Sequence, residues 1–481
     1  MDGGGTTDTS VHPLAHIRRS RGWSYQELAR VVADNARALG VPMAARREKV
    51  WRWEHWGVVP EPDSQRALAR ALGVPQRELD ARPWPGWLPV PGRLPEGLRW
   101  TPEGTLVALR SLLGEAAQDA REYPPAAGQA LREAMAVPDW AEPRVPEPRV
   151  PEPRVPEPGA PAPSPEESGA SARAHDEDGA TAGAGTADWL RAGVLGLRQL
   201  GDRLGGAVVR DRVEADLRIV ADLLQRDGPR EESARPLHQV AAELARLGGA
   251  AAFEAGRNGS AQRLLLTGLR AAHSAGDRSA AAGILAELSR QALLDGRPGD
   301  ALAAVRAADA AAGVAARGRV PALLAVRRAR VLAALRDEKG FRGALGRAEE
   351  LLGTAADGED PSWACSFDAA ELHAEAGAAL LDLGHPQEAL EQLERALADL
   401  DPGRRAERAL LWAAVATARL RAGDAEGADE SAAQATRLCD DGATARLRDA
   451  VEALKSELRK ASDDLGAADG TEDCADEPLP A

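Results

Sequence analysis

Short helix-breaking clusters recur at nearly equal spacing along the C-terminal half of this chain, and they limit its possible folds more than any other feature. They read "EAGRNGSA" (254–261), "DGRPGDA" (295–301), "DEKGFRGA" (337–344), "LGHPQEA" (383–389) and "AGDAEGA" (422–428). Turns placed at Gly256, Gly296, Lys339, Gly384 and Gly423 lie 40, 43, 45 and 39 residues apart. A fixed period of this size marks a repeat architecture. Five residues after each turn stands an alanine: Ala261, Ala301, Ala344, Ala389 and Ala428. A small residue there lets the two helices of a hairpin approach closely. The intervening segments are rich in Ala, Leu, Arg and Glu and show little β-type alternation, so helices are predicted throughout. Since a lone hairpin cannot bury its apolar face, successive hairpins must stack, and the expected result is a right-handed α-solenoid.

The chain has 481 residues, room for two to four folded units. Composition breaks near residue 142, where three tandem "EPRVP" copies open a stretch rich in Pro, Ala and Gly that cannot bury a core. The predicted organisation is a helical module over 12–82, a Trp- and Pro-containing extension with a short helix over 83–141, a disordered linker over 142–186, repeats over 187–460 and a disordered acidic tail over 461–481. "ADWLRAGVLG…VADLLQ" at the start of the repeats is expected to supply two capping helices. The extension holds Trp84, Trp87 and Trp100, which either wrap the N-terminal module or dock on the repeats.

Net charge is −15, yet residues 11–59 carry nine Lys/Arg against four Asp/Glu. Bulk acidity argues against indiscriminate coating of nucleic acid and leaves a short basic module free to bind it. Within that module, Ser24 and Glu27 form a capping-box pattern, followed by Leu28, Val31, Val32 and Leu39 on one helical face. A basic helix from Pro13 to Arg21 precedes it. After the "GVPMAA" turn, "RREKVWRWEHWG" forms a third helix, and "PDSQRALARALGV" and "PQRELDAR" form two more. At about 100° per residue, Val50, Trp53 and Trp56 fall on one side of the third helix, facing the core, and Arg47, Glu48, Trp51, Arg52 and His55 on the other.

These five helices resemble the Cro/lambda-repressor (XRE-type) helix-turn-helix domain. The likeness rests on "RGWSYQELA", "VWRWE", Pro60 and "RALARALGVPQREL". It departs from the family in two places. Leu28 and Val50 are separated by about ten residues more than the family's turn allows, which requires a longer second helix or a remodelled turn, and Tyr25 replaces a phosphate-contacting Gln. The resemblance implies that Val50 and Trp53 are core positions of a recognition helix, with Trp56 extending the strip, and that Glu54 pairs with Arg18 or Arg19. It further implies that Arg46, Arg47, Lys49 and Arg52 contact double-stranded DNA, with Trp51 covering a thymine methyl or sugar edge. Glu48 opposes non-specific phosphate binding.

The stretch "HAEAGAALLDLGHPQEALEQLERALADLDP" (373–402) resembles a tetratricopeptide repeat, with Gly377, Leu383, Gly384, Ala389, Leu393, Ala396 and Pro402 on its motif positions. The next copy keeps Trp412, Gly423 and Ala428. Ala374, Ala378, Ala413 and Thr417 are the expected groove-lining positions and offer no basic clamp. A helix-turn-helix domain joined to such repeats resembles actinobacterial transcription regulators. That likeness implies a DNA-binding regulator whose repeats bind a peptide or protein or self-associate as a homodimer. The alternative is a repeat scaffold whose N-terminal domain docks proteins.

No run of 18 apolar residues and no secretory leader pattern occurs, so a soluble cytoplasmic protein, nucleoid-associated, is expected. Cys365, Cys439 and Cys474 are few, odd in number and widely spaced, which fits a reducing compartment. The eight histidines lack metal-ligand spacing, and no phosphate-loop, dinucleotide or nucleophile-elbow motif occurs. Neither a cofactor, a metal nor enzymatic chemistry is expected.

Overall fold

The structure is a computed structural model. It describes residues 12–74, 76–81, 83–88, 98–113, 127–136, 185–197, 206–228, 234–313, 316–355, 360–439 and 444–472. The fold is all-α, with no strand among the described residues.

The first five helices are α1 (Pro13–Ser20), α2 (Tyr25–Ala38), α3 (Arg47–His55), α4 (Pro62–Leu72) and α5 (Gln76–Ala81). They share one core in which Leu14, Ile17, Leu28, Val32, Val50, Trp53 and Leu68 are buried. Helix α2 starts where the capping box forms: the Ser24 hydroxyl accepts from the Glu27 amide at 3.2 Å, and the Ser24 amide donates to Glu27 Oε2 at 2.7 Å. Leu39 departs from expectation. It lies one residue past the helix and is exposed, while Ala29, Ala33 and Ala36 complete the buried face. The extra length between Leu28 and Val50 is taken up twice, by a 14-residue α2 and by an eight-residue connection, 39–46. Val41, Met43 and Ala45 pack inward from that connection at every second position, and Gln26 Nε2 donates to the Ala45 carbonyl at 3.4 Å.

A second, larger core begins with α6 (Pro102–Leu112) and α7 (Ala127–Met135), then α8 (185–197) and α9 (Gly206–Asp227). Five hairpins follow: α10 (Arg235–Glu254) with α11 (Asn258–Ala275), α12 (Arg278–Leu294) with α13 (Pro298–Ala312), α14 (Arg319–Ala334) with α15 (Glu338–Gly353), α16 (Ala369–Leu383) with α17 (Pro386–Asp399), and α18 (Arg405–Arg421) with α19 (Ala425–Leu438). Each hairpin packs on the next, and α20 (Ala445–Glu472) covers the last.

All five hairpins turn in one way. A residue in the left-handed region follows the first helix, and the next amide donates to the carbonyl five residues back, satisfying carbonyls that the helix end leaves open. The bonds are Arg257 to Ala252, Arg297 to Ala292, Asp337 to Leu332, His385 to Leu380 and Asp424 to Arg419, each at 2.9 Å. In the third hairpin the left-handed residue is Arg336, at φ 62°, and not Lys339. The intervals become 40, 40, 48 and 39 residues, and the position five residues on is Phe341 in place of Ala344. A large ring fits there because Ala329 and Ala333 face it from α14. The long interval contains residues 360–367, whose Trp363 lies against Gly283 so tightly that a Cβ on that glycine would come within 2.7 Å of the indole.

Module boundaries also move. Trp84, Trp87 and Leu88 join the N-terminal core, and Trp87 Nε1 donates to Gln65 Oε1 at 2.9 Å. Trp100 instead packs on the hairpins, beneath the Arg270 guanidinium at 4.4 Å and against His273. Both alternatives for the extension are thus realised, one on each side of 89–97. Leu109 and Leu131 of α6 and α7 share a core with Leu190 of α8 and Leu217 of α9. The proline-rich stretch therefore leaves and rejoins one body and does not separate the N-terminal helices from the hairpins. Apart from 185–186, which begin α8, that stretch lies outside the described residues. The expected border at 460 also falls inside a helix, since α20 continues to Glu472. Adding residues to an existing helix costs little compared with starting one. Residues 473–481 lie outside the described residues.

Hairpin contact distances lead to a paired prediction. A Cβ on Gly377 would meet Leu393 Cγ at 2.6 Å, whereas one on Gly343 meets nothing within 4 Å. Gly377→Ala is expected to destabilise by about 1–3 kcal/mol through overpacking. Gly343→Ala is expected to stabilise by about 0.5–1 kcal/mol through helix propensity. Chemical denaturation of the two variants against the unaltered chain measures both.

Candidate nucleic-acid interface

Helix α3 is fixed from inside by a buried ion pair. Arg18 Nε donates to Glu54 Oε1 at 2.8 Å and Arg18 Nη2 to Glu54 Oε2 at 3.0 Å, while Nη1 donates to the Trp23 carbonyl at 3.1 Å. The partner of Glu54 is Arg18 and not Arg19. Such a fork-to-fork pair sets orientation as well as distance. The carboxylate beside it raises the Arg18 pKa, so the guanidinium stays charged. Val50 and Trp53 lie on the same inward side and are buried.

Trp56 does not join them. It is 66% exposed, because α3 ends at His55 and Trp56 is the capping residue, where helical phase no longer aims its side chain at the core. It stands edge-on to Trp51, with ring centroids 5.1 Å apart, and Arg52 lies 6.0 Å over its ring. Trp51, 38% exposed, stacks at 4.7 Å on His55, whose Nδ1 lies 3.0 Å from the Trp51 carbonyl.

Tyr25, Arg47, Glu48, Trp51, Arg52 and Trp56 line one groove of about 480 Å³. Tyr25 reaches it from the first turn of α2, with the Arg18 guanidinium 3.9 Å over its ring. Arg46 and Arg47 are exposed at the start of α3. Arg47 Nε lies 3.2 Å from Glu48 Oε1, and Lys49 Nζ 3.8 Å from Glu61 Oε2. Arg46 and Arg52 make no ion pair among the described residues. The Glu48 carboxyl is held below its usual range by its own backbone amide and by Arg47, so the surface carries a fixed negative charge among its cations. All five candidate DNA-contacting residues, Arg46, Arg47, Lys49, Trp51 and Arg52, thus lie on one short helix and its cap. Trp56 joins them as a groove wall, which helical phase taken past the helix end concealed.

The hairpins carry a second concentration of charge. Arg327 and Arg330 of α14 pair with Glu371, Glu375 and Asp382 of α16, and Arg290 of α12 pairs with Glu287 and with Glu254 of α10. Ala378 shares a face of α16 with those acids, so the apolar lining expected from Ala374 and Ala378 is flanked by paired charges. Burial pushes the Glu371 carboxyl up, while the arginines beside Glu375 overcome burial and pull it down.

No protein-family model matches the chain, and no curated protein matches it. Among the described residues no cluster of His, Cys, Asp and Glu could hold a metal ion, and no helix is long and apolar enough to cross a membrane.

Two outcomes follow for this module. Glu54→Ala leaves Arg18 charged and buried, and is expected to cost about 3–5 kcal/mol, whereas Arg18→Met with Glu54→Leu costs far less. Hydrogen-exchange protection of α1–α3 reads the difference. The second concerns His12, whose pKa burial lowers from the ordinary 6.5 and whose Nδ1 accepts from the Leu14 amide at 3.2 Å. A lowered native pKa on a base means that the unfolded chain binds the proton more readily. Protection of α1 is therefore expected to be full above about pH 6.5 and to decline below it. In His12→Asn, which keeps a neutral capping acceptor, that decline should flatten when the same exchange is run at pH 7.5 and 5.5.

Proposed function

We propose that this protein is a sequence-specific DNA-binding transcription regulator. In this reading the N-terminal helices are a helix-turn-helix domain, and the hairpins are tetratricopeptide-like repeats that bind a partner or self-associate. The observation that carries it is the two-sidedness of α3. Arg18, Val50, Trp53 and Glu54 fix one side, and the other presents Arg47, Trp51 and Arg52 around Glu48, with Arg46 at the cap and Lys49 on the flank. A helix held rigidly from behind with cations in front suits the major groove, where Arg pairs with guanine O6 and N7 and Lys holds phosphate. Glu48 weakens purely electrostatic attachment and so favours sites where base contacts compensate. One module this small touches few phosphates, so useful affinity calls for two copies on half-sites about 34–36 Å apart.

A second reading is a docking module for proteins. The observation favouring it is the Trp51–Trp56 groove, since exposed aromatic surface is also what protein interfaces use. Sequencing DNA recovered with the protein from cells separates the two. The regulator reading expects discrete sites that disappear in Arg47→Ala/Arg52→Ala, and absence of enrichment would sink it. For Lys49→Ala on a selected site, the slope of log affinity against log salt should shrink by about 0.9. An unchanged slope removes Lys49 from the phosphate contacts.

A further inference from the structure

We propose that the hairpin array is a gated ring. Its gate is the first turn of α20, and the partner that opens it is a peptide whose own arginine takes the place of Arg446. The proposal rests on the reading that the hairpins bind a partner and is independent of what the N-terminal helices bind.

Helix α20 is carried by the last hairpin, through Leu447, Val451 and Leu454. Its first turn nevertheless touches the first hairpin, four steps back in the stack. A Cβ on Gly256, in the turn after α10, would lie 3.4 Å from Ala445 Cβ. Beside it the Arg446 guanidinium stands 4.3 Å over the Phe253 ring, with Nε 3.6 Å from Glu254 Oε1. The stack therefore returns to its starting helix, and the closing contact is unlike the others. Successive hairpins join through apolar cores. Among the described residues, by contrast, the core beneath α20 holds no residue of α10, and the core of α10 holds none of α20. A cation over one ring and a partly exposed ion pair are weak contacts. The ring opens at this seam before any other.

Arg446 itself displays the chemistry that the site accepts. Two arginines share Phe253 and Glu254. Arg290 of α12 lies 4.9 Å over the same ring and 3.3 Å from the same carboxylate, and it is also tied to Glu287 of its own helix at 3.2 Å. Glu371 and Glu375 are matched by Arg327 and Arg330 within the stack, so Glu254 is the carboxylate that changes partner. When Arg446 lifts away, Arg290 is left between two carboxylates, and Phe253, only 2% exposed with the gate shut, loses part of its cover. The vacated place then offers a carboxylate, an aromatic face and a surplus negative charge. A guanidinium satisfies all three, because it lies flat on the ring while its N–H groups reach the carboxylate. A lysine ammonium supplies the charge without the flat face. An acidic or purely apolar peptide would leave Glu254 unmatched.

Pulsed electron paramagnetic resonance on the full chain tests the inference. Nitroxide labels are placed at Ala255→Cys and Ala453→Cys, both exposed positions, after Cys365→Ser, Cys439→Ser and Cys474→Ser. The chain with Arg446 is expected to show one narrow distance, and Arg446→Ala a longer and broader one with unchanged circular dichroism. Hexa-arginine serves as the probe peptide. It is expected to lengthen the distance in the chain with Arg446, whereas hexa-lysine at the same concentration leaves it unchanged. It should also bind Arg446→Ala about ten-fold more tightly, since no arginine of the chain then competes for the site. Glu254→Gln, which keeps the shape of the site, should remove the preference for hexa-arginine. Should Arg446→Ala not fold, Arg446→Lys must still lengthen the distance. A distance unchanged in these variants, a chain already open without peptide, or equal action of the two peptides overturns the proposal. A chain that opens to hexa-arginine yet recovers no DNA sites refutes the regulator reading alone.

Discussion

Two helices joined by two or three residues have more apolar surface than they can cover between them, and most of this chain is arranged by that deficit. The turn is the same each time, a left-handed residue with the following amide bonded five residues back. It fixes the angle at which the second helix returns, and the residue five positions later, alanine in four hairpins and Phe341 in the third, fixes how close it comes. What stays uncovered on one hairpin is covered by the next, so α10 to α19 share their cores serially and the two ends need separate solutions. At one end α20 lies across α18 and α19, burying Leu447, Val451 and Leu454. At the other, α6 to α9 close the inner side and leave Trp189, Leu195 and Ile219 open.

The N-terminal helices solve a different problem, that of holding a short polar helix at a defined angle. Only Val50 and Trp53 of the nine residues in α3 are buried apolar side chains, too few to orient a helix against sliding or rotation. The Arg18–Glu54 fork adds the missing directional constraint. A buried pair of this kind contributes little net stability compared with apolar residues of the same volume, but it tolerates only one geometry. Tyr25, over the Arg18 guanidinium, couples the start of α2 to the same anchor. The groove facing outward is therefore set by contacts made on the opposite side of the helix.

Periodicity made the repeats legible because each hairpin obeys the same local rule, and four of the five turns are marked by glycine. The third was misplaced by three residues because Arg336 adopts the left-handed conformation that glycine usually signals, and a glycine at 340 stood nearby. Inward positions within helices were legible too, as Val50, Trp53 and Leu28 illustrate. Leu39 and Trp56 were not, for one shared reason: each is the first residue beyond its helix, where the 100° step stops applying. The module boundary was hidden more deeply. A proline-rich stretch looks like a divider, yet whether it divides depends on what its flanking helices touch, and α7 and α8 touch the same core.

A core shared by α7 and α8 alters how the parts can communicate. A disordered spacer of some 45 residues would let the N-terminal module wander far from the hairpins and would leave their states independent. Because α6 and α7 belong to the hairpin body, the chain passes from one core to the other through the nine residues between Leu88 and Leu98, anchored by Trp87 on one side and by Trp100 and Arg270 on the other. A link that short keeps the module within about 33 Å of α11. Under the regulator reading, anything that shifts α6 against α9 and α11, including a partner on the hairpins, would move the root of the DNA-binding module directly. Coupling between the two halves then needs no long-range pathway through the stack, only a displacement of the helix to which the link is tied.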